Sequence, residues 1–257
     1  MAGPRAKKLL RRIVLSLLLL LILAVAALLG YEWLKYRKAK STRYPEFGVN
    51  IPDHYSIHGI DVSRYQDVIA WEEVRRMNVR NIRLGFAFIK ATEGIDNTDP
   101  QFHRNWKKSK ASGIIRGAYH FFLPIRDGRM QAENFIRSVS LQSGDLPPVL
   151  DVEHNYGASC QQVRREVKRW LQVVEFHYGA KPIIYTNVEF YRNCLGREFD
   201  AYPLWIAHYE SGDEPGIRRP WIFWQHTDRG RVNGIVHAVD FNVFSGDSAQ
   251  FRQLLLK

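Results

Sequence analysis

Cysteine is scarce in this 257-residue chain, where Cys160 and Cys194 are the only two. Neither follows the apolar stretch near the amino terminus, so that stretch does not read as a lipid-modified leader. His and Cys also lack the ordered spacings of a zinc or two-metal site, although His120, Asp151, Glu153 and His154 carry suitable donor atoms. No metal and no cofactor are expected. Basic charge is scarce too once the terminus is set aside. Of 37 Lys and Arg and 26 Asp and Glu, ten basic residues and one acid fall within residues 1–43, leaving 27 against 25 elsewhere. A nucleic-acid surface needs a basic face on the folded part, so nucleic acid is not an expected partner.

Only one long apolar run is present. Residues 13–30 form an unbroken stretch of 18 whose sole polar member is Ser16. Arg5, Lys7, Lys8, Arg11 and Arg12 precede it, and Tyr31, Trp33 and Tyr36 follow as an interfacial belt would. A cleaved signal with a site at Ala24-Val25-Ala26 is the alternative, but Ala27-Leu28-Leu29 continue the run without a polar break. The expected organisation is a basic cytoplasmic terminus (1–12), a transmembrane anchor (13–34), a linker (35–54) and a domain outside the cytoplasm (55–257).

Within that domain, apolar runs of strand length recur at residues 57–62, 86–91, 114–122, 149–153, 182–186, 204–208, 222–225 and 238–244. Helix-like segments separate the first six, at 69–77, 102–111, 127–139, 162–178 and 188–195. In the fourth of these, Val163, Val167, Trp170, Leu171 and Val174 recur at helical spacing. Alternating strand and helix argues for a parallel sheet. After Tyr202 the gaps hold Gly, Pro and charged turns with no room for long helices. The fold class is therefore α/β, a modified TIM-like barrel of eight strands with five main helices, (β/α)5(β)3. Cys160 and Cys194 each follow an expected strand by several residues, which leaves a disulfide on one rim and two buried thiols both open.

Catalytic groups of a barrel gather where its strands end. Asp61 ends the first strand, Tyr119 lies late in the third, and Tyr185 ends the fifth. Trp205 lies on the sixth, Trp224 and Gln225 on the seventh, Asp240 and Asn242 on the eighth. The fourth strand, entered through Pro147-Pro148, ends in Asp151-Val152-Glu153. Alternate residues of a strand share a face, so the two carboxyls sit about 6–7 Å apart at the Cα atoms. Such a pair repels, one member holding its proton while the other ionises. That is the arrangement of an acid-assisted glycosidase. A strand end with one salt-bridged and one capping acid is the plain alternative. Aromatic rings among acids suit sugars, whose C–H faces stack while their hydroxyls hydrogen-bond.

These stretches resemble the family-25 glycoside hydrolases, the Chalaropsis-type lysozymes or muramidases. The resemblance rests on His58-Gly59-Ile60-Asp61-Val62-Ser63 with Gln66, residues 88–94 (FIKATEG) and residues 117–121 (GAYHF). It continues through Asp151-Val152-Glu153, Tyr185-Thr186-Asn187, Leu204-Trp205-Ile206-Ala207, Trp224-Gln225 and Val239-Asp240-Phe241-Asn242. Order and spacing hold from about residue 57 to 245. The resemblance implies cleavage of the β-1,4 bond between N-acetylmuramic acid and N-acetylglucosamine in peptidoglycan, by a monomeric catalytic domain. By position it implies Glu153 as general acid, Asp151 as its partner, and Asp61 and Asp240 as further acids on the floor. Tyr119, Tyr185, Trp205, Trp224, Gln225 and Asn242 are the expected substrate-binding residues. His208, His226 and Phe241 depart from the family pattern, and the anchor is an addition to it. Asp151 reads either as a direct nucleophile or as support for an attacking acetamido group, the second being favoured. A tethered wall-binding scaffold without turnover is the rival reading, and the intact acid set argues against it.

Overall fold

The structure, a computed structural model, describes residues 4–38, 41–209 and 211–257. The chain divides into two units, Met1–Lys40 and Ser41–Lys257. The first is a single helix, α1 (Pro4–Lys38), rich in the strong helix formers Leu and Ala. Its segment Arg12–Trp33 is 22 residues long and apolar enough to cross a membrane, a test that signal sequences also pass. Residues 1–3 of the expected basic terminus and 39–40 of the expected linker lie outside the described residues.

Part of the stretch read as linker is folded. Strands β1 (Ser41–Tyr44) and β2 (Val49–Pro52) pair antiparallel. Their turn ends at Gly48, whose φ of 71° suits glycine. Phe47, Val49 and Ile51 are buried beneath the hairpin, and Phe47 meets Phe241 at 5.2 Å between ring centroids. The folded unit therefore starts at Ser41, and a truncation through residue 43 would remove most of β1. The pattern is real but short: four-residue strands carry little periodicity to read.

The remaining elements follow in chain order. The strands are β3 (His58–Val62), β4 (Asn78–Val79), β5 (Ile82–Glu93), β6 (Asn97–Thr98), β7 (Ile115–Phe121), β8 (Val149–Asp151), β9 (Ile183–Asn187), β10 (Leu204–Ala207), β11 (Phe223–Gly230) and β12 (Val239–Phe244). The helices are α2 (Trp71–Arg76), α3 (Phe102–Ala111), α4 (Gly128–Ser138), α5 (Cys160–Tyr178), α6 (Val188–Phe190) and α7 (Ser248–Leu254). Eight strands close a barrel as expected, β4 and β6 being short additions paired to β5. From β3 through β11 neighbours run parallel, whereas β12 is antiparallel to both β11 and β3. Helices α2 to α6 occupy the first five crossings. Helix α7 was not expected; it begins with a capping box between Asp247 and Gln250.

Strand alternation divides the apolar residues into two cores. Ile60, Ile89, Leu150 and Ile184 face outward onto a layer that includes Phe135, Val167, Trp170 and Leu171 from α4 and α5. Phe86, Phe88, Val149, Ile183, Phe223 and Phe244 fill the barrel interior, joined by Phe251 of α7. Gly59 and Gly117 make room for two of these rings. A Cβ at either would lie 2.5 Å from a ring carbon of Phe86 or Phe88 respectively.

Cys160, the first residue of α5, is disulfide-bonded to Cys194 in the turn Tyr191–Leu195, with a Cα–Cα distance of 5.0 Å. The bond closes a sequence separation of 34 residues. In the chain-entropy view a loop of that size contributes about 3–4 kcal/mol. Replacing both cysteines by serine is expected to lower the urea midpoint accordingly, and unreduced, unfolded wild-type protein is expected to show no free thiol.

Candidate active site

At the carboxyl ends of the parallel strands, inward-facing side chains line a cavity of about 250 Å³. Asp61, Asp151, Glu153 and Asp240 all line it, together with Tyr119, Tyr185, Trp205 and Gln225. Its floor is a hydrogen-bond network. Asp61 Oδ2 accepts from Gln225 Nε2 at 2.9 Å and from Asn242 Nδ2 at 2.6 Å. Gln225 Oε1 in turn accepts from Tyr185 Oη at 2.8 Å and Tyr209 Oη at 2.7 Å. Asn242 Oδ1 accepts from the Trp205 indole N–H at 2.7 Å. Each amide thus turns its NH₂ to a carboxylate and its oxygen to a donor that cannot accept in return or has its proton directed there, which fixes the amide orientations.

Two expected contact residues lie elsewhere. Asn242 is fully buried under Asp61, where it holds that carboxylate instead of meeting a ligand. Trp224 faces out of the barrel, 1 % exposed, with its indole N–H donated to the His208 carbonyl at 2.9 Å. The cause is alternation: Gln225 faces in, so its neighbour faces out. Tyr209 was missed, although Trp205, Ala207 and Tyr209 form one alternating inward set. Lys90 also lines the cavity and pairs with Glu93 at 2.6 Å. His208 accepts from the Gly216 N–H at 2.9 Å, and burial holds its pKa below the usual histidine range. His226 packs beside Trp224 outside the cavity, and burial lowers its pKa to about 3.

Burial raises the pKa of every acid in the cleft, because a low-dielectric site disfavours the charged form. Asp61 is raised by burial and partly restrained by the Gln225 and Asn242 hydrogen bonds. Asp240 stands directly opposite Asp61 in the antiparallel register; burial and the Asp61 charge push it up to about 9. Asp151 is raised well above the carboxylate range by burial and then by Glu153, and its Oδ1 is buried without a hydrogen-bond partner. Glu153 is also raised, chiefly by burial. It lines a second cavity, of about 590 Å³, with Asn187, Arg192 and His208. Carboxyls that share one cavity and act on one another in this way titrate as a set.

The sign of the Asp240 shift makes a stability prediction. A carboxyl raised on folding favours the fold fully below its unfolded pKa, near 4, and that support is lost as pH rises through about 9. Asp240→Asn mimics the protonated acid and escapes the loss. The variant is expected to unfold at a higher temperature than wild type at pH 7–8, with the two converging near pH 4. A wild-type advantage at pH 8 would refute the assignment.

A barrel with a carboxyl-lined cleft at its strand ends, one acid reaching into the adjoining cavity, is the architecture of a glycoside hydrolase. Residues 60–235 match the family model described as Glycosyl hydrolases family 25, and the chain belongs to that family. It is 48 % identical over 211 residues to the uncharacterized protein YegX of Escherichia coli strain K12, covering 82 % of this chain and 76 % of that one. Lysozyme M1 of Streptomyces globisporus is 35 % identical over 221 residues, covering 79 % and 72 %. Among solved structures, a family 25 glycosyl hydrolase from Bacillus anthracis superposes with a TM-score of 0.74 at 34 % identity, covering 84 % of this chain and all of that one. The chain is an enzyme, a glycoside hydrolase of the lysozyme and muramidase type.

Proposed function

We propose that this chain is a membrane-tethered peptidoglycan hydrolase. It cleaves the β-1,4 bond between N-acetylmuramic acid and N-acetylglucosamine, with Glu153 as general acid and base. The observation that carries the residue assignment is Asp151 Oδ1, a buried acceptor with no partner in the acid-lined cavity that Glu153 also lines. A buried polar atom left unpaired costs stability, and an acetamido N–H of the substrate supplies the missing donor.

That hydrogen bond favours the ionised form of Asp151 and leaves the proton of the pair on Glu153. Glu153 gives it to the glycosidic oxygen as the C1–O bond breaks, while the acetamido oxygen bonds to C1 and forms an oxazolinium ion beside the Asp151 charge. Water then attacks C1 and reopens the ring, Glu153 takes the water's proton, and the anomeric configuration is retained. Asp61 and Asp240 hold the floor and set the local charge. Tyr119, Tyr185 and Trp205 shape the cavity wall.

Mass analysis of fragments released from purified peptidoglycan tests the bond assignment. Reducing ends in N-acetylmuramic acid are expected; reducing ends in N-acetylglucosamine would refute it. The exposed apolar helix supports the tether, with the barrel outside the cytoplasm. Full-length protein is expected to stay in the membrane fraction through high-salt and carbonate washes. A mature chain beginning near Ala27 would show cleavage instead.

A further inference from the structure

On the outer side of β11 a groove of about 480 Å³ lies between the β1–β2 hairpin and the barrel rim. Arg43, Asn50, Ser211, His226, Thr227 and Arg229 are among its lining residues, and no carboxylate is among those described. Its chemistry differs from that of the acid cleft. Arg43 has no ion-pair partner among the described residues, and Arg229 meets only its exposed neighbour Asp228, at 3.6 Å. The His226 ring lines the groove at 6 % exposure, and its Nε2 has no hydrogen-bond partner.

The hairpin wall is held firmly. Phe47, Val49 and Ile51 are buried under it, and the Arg231 N–H donates to the Phe47 carbonyl at 2.8 Å. This wall precedes residues 60–235, the part matched by the family model. The groove also adjoins the cleft. Tyr209 lines the cleft and Ser211 the groove, two residues apart in sequence. On β11, Gln225 lines the cleft and the next residue, His226, lines the groove.

We propose that this groove binds a carboxylate-bearing peptide, the acidic stem attached to the glycan that occupies the cleft. The inference rests on the peptidoglycan reading above. A branch leaving a sugar in the cleft passes from the side of Tyr209 to that of Ser211 to enter the groove. Guanidinium groups match carboxylates as planar, two-pronged donors. Glycan stripped of its peptides has no stem carboxylates to offer the two arginines. An exposed ion pair is weak alone, so the effect comes from two arginines lining one groove.

The test uses the full chain in detergent micelles with two soluble substrates, glycan fragments that carry stem peptides and the same glycans with the peptides removed. In the double variant Arg43→Gln/Arg229→Gln, KM for the peptide-bearing substrate is expected to rise about tenfold, the equivalent of two modest charged contacts. Its kcat is expected to hold, and the peptide-free glycan to be cleaved as by wild type. No change on the peptide-bearing substrate, or an equal change on both, overturns the proposal. Calorimetric titration with a free acidic stem peptide gives a second readout. Binding is expected to the parent chain and to be lost in the double variant; binding of inorganic phosphate as tight as the peptide's would mark a generic anion site and overturn the assignment. If wild type cleaves neither substrate, the hydrolase reading fails, while the peptide titration still decides the groove.

Discussion

Glu153→Gln lowers turnover by about 10²–10⁴-fold while leaving folding and wall binding nearly intact, if Glu153 is the acid that protonates the leaving oxygen. Glutamine keeps the size and most hydrogen bonds of the side chain but has no proton to transfer at the required acidity. The effect belongs in kcat, because the substitution leaves the tyrosines and the tryptophan that line the cavity in place. The pH profile gives an independent check. Burial raises the Glu153 pKa, so the competent protonated form persists above the ordinary glutamate range, and activity falls on the alkaline side as it is lost. The variant's residual activity should lack that alkaline limb. A correctly folded Glu153→Gln with near-wild-type rate would overturn the assignment.

Asp151→Asn is expected to cost about 3–4 kcal/mol of transition-state stabilisation, by analogy with removal of an oxyanion-hole donor. At about 1.4 kcal/mol per factor of ten, that is a loss of two to three orders of magnitude in kcat. The variant keeps a side-chain oxygen near the buried position now lacking a partner, but loses the charge that faces the oxazolinium ion. Affinity for a cationic thiazoline mimic of that ion should fall in parallel with kcat, whereas affinity for unreacted glycan changes little. A glycosyl group trapped covalently on Asp151 by a fluorinated substrate would assign it as the nucleophile instead.

That Asp151 and Glu153 would reach one cavity was legible because a period of two needs only three residues to express itself, although β8 itself ends at Asp151. The eight barrel strands were legible for a related reason: each is apolar and bounded by turn residues. The same period, applied to Trp224 beside Gln225, would have placed that tryptophan outside the cavity, and carried from Trp205 through Ala207 it would have found Tyr209. Side-chain direction, not position at the rim, separates the residues that line the cavity from those that do not. Asn242 is different. Its role depends on the register that sets Asp240 opposite Asp61 and Asn242 opposite Gly59, and register between distant strands is not written in either strand alone. Helix α7 carried a readable start signal in Asp247 and Gln250, but its seven residues are too few to show a helical period. The disulfide stayed open because its geometry depends on where the 191–195 turn comes to rest against α5.

The antiparallel return of β12 has a consequence for biogenesis. The first barrel strand is held by the last, Asp61 lying opposite Asp240, and the interior is packed by Phe251, near the end of the chain. A chain synthesised from its amino-terminal end therefore makes β3 long before the β12 that holds it. Until residue 240 has been made, one of the floor acids is missing and the sheet has no last strand to close it. Closure of the acid-floored cleft thus waits on the last strand, a timing written into strand order.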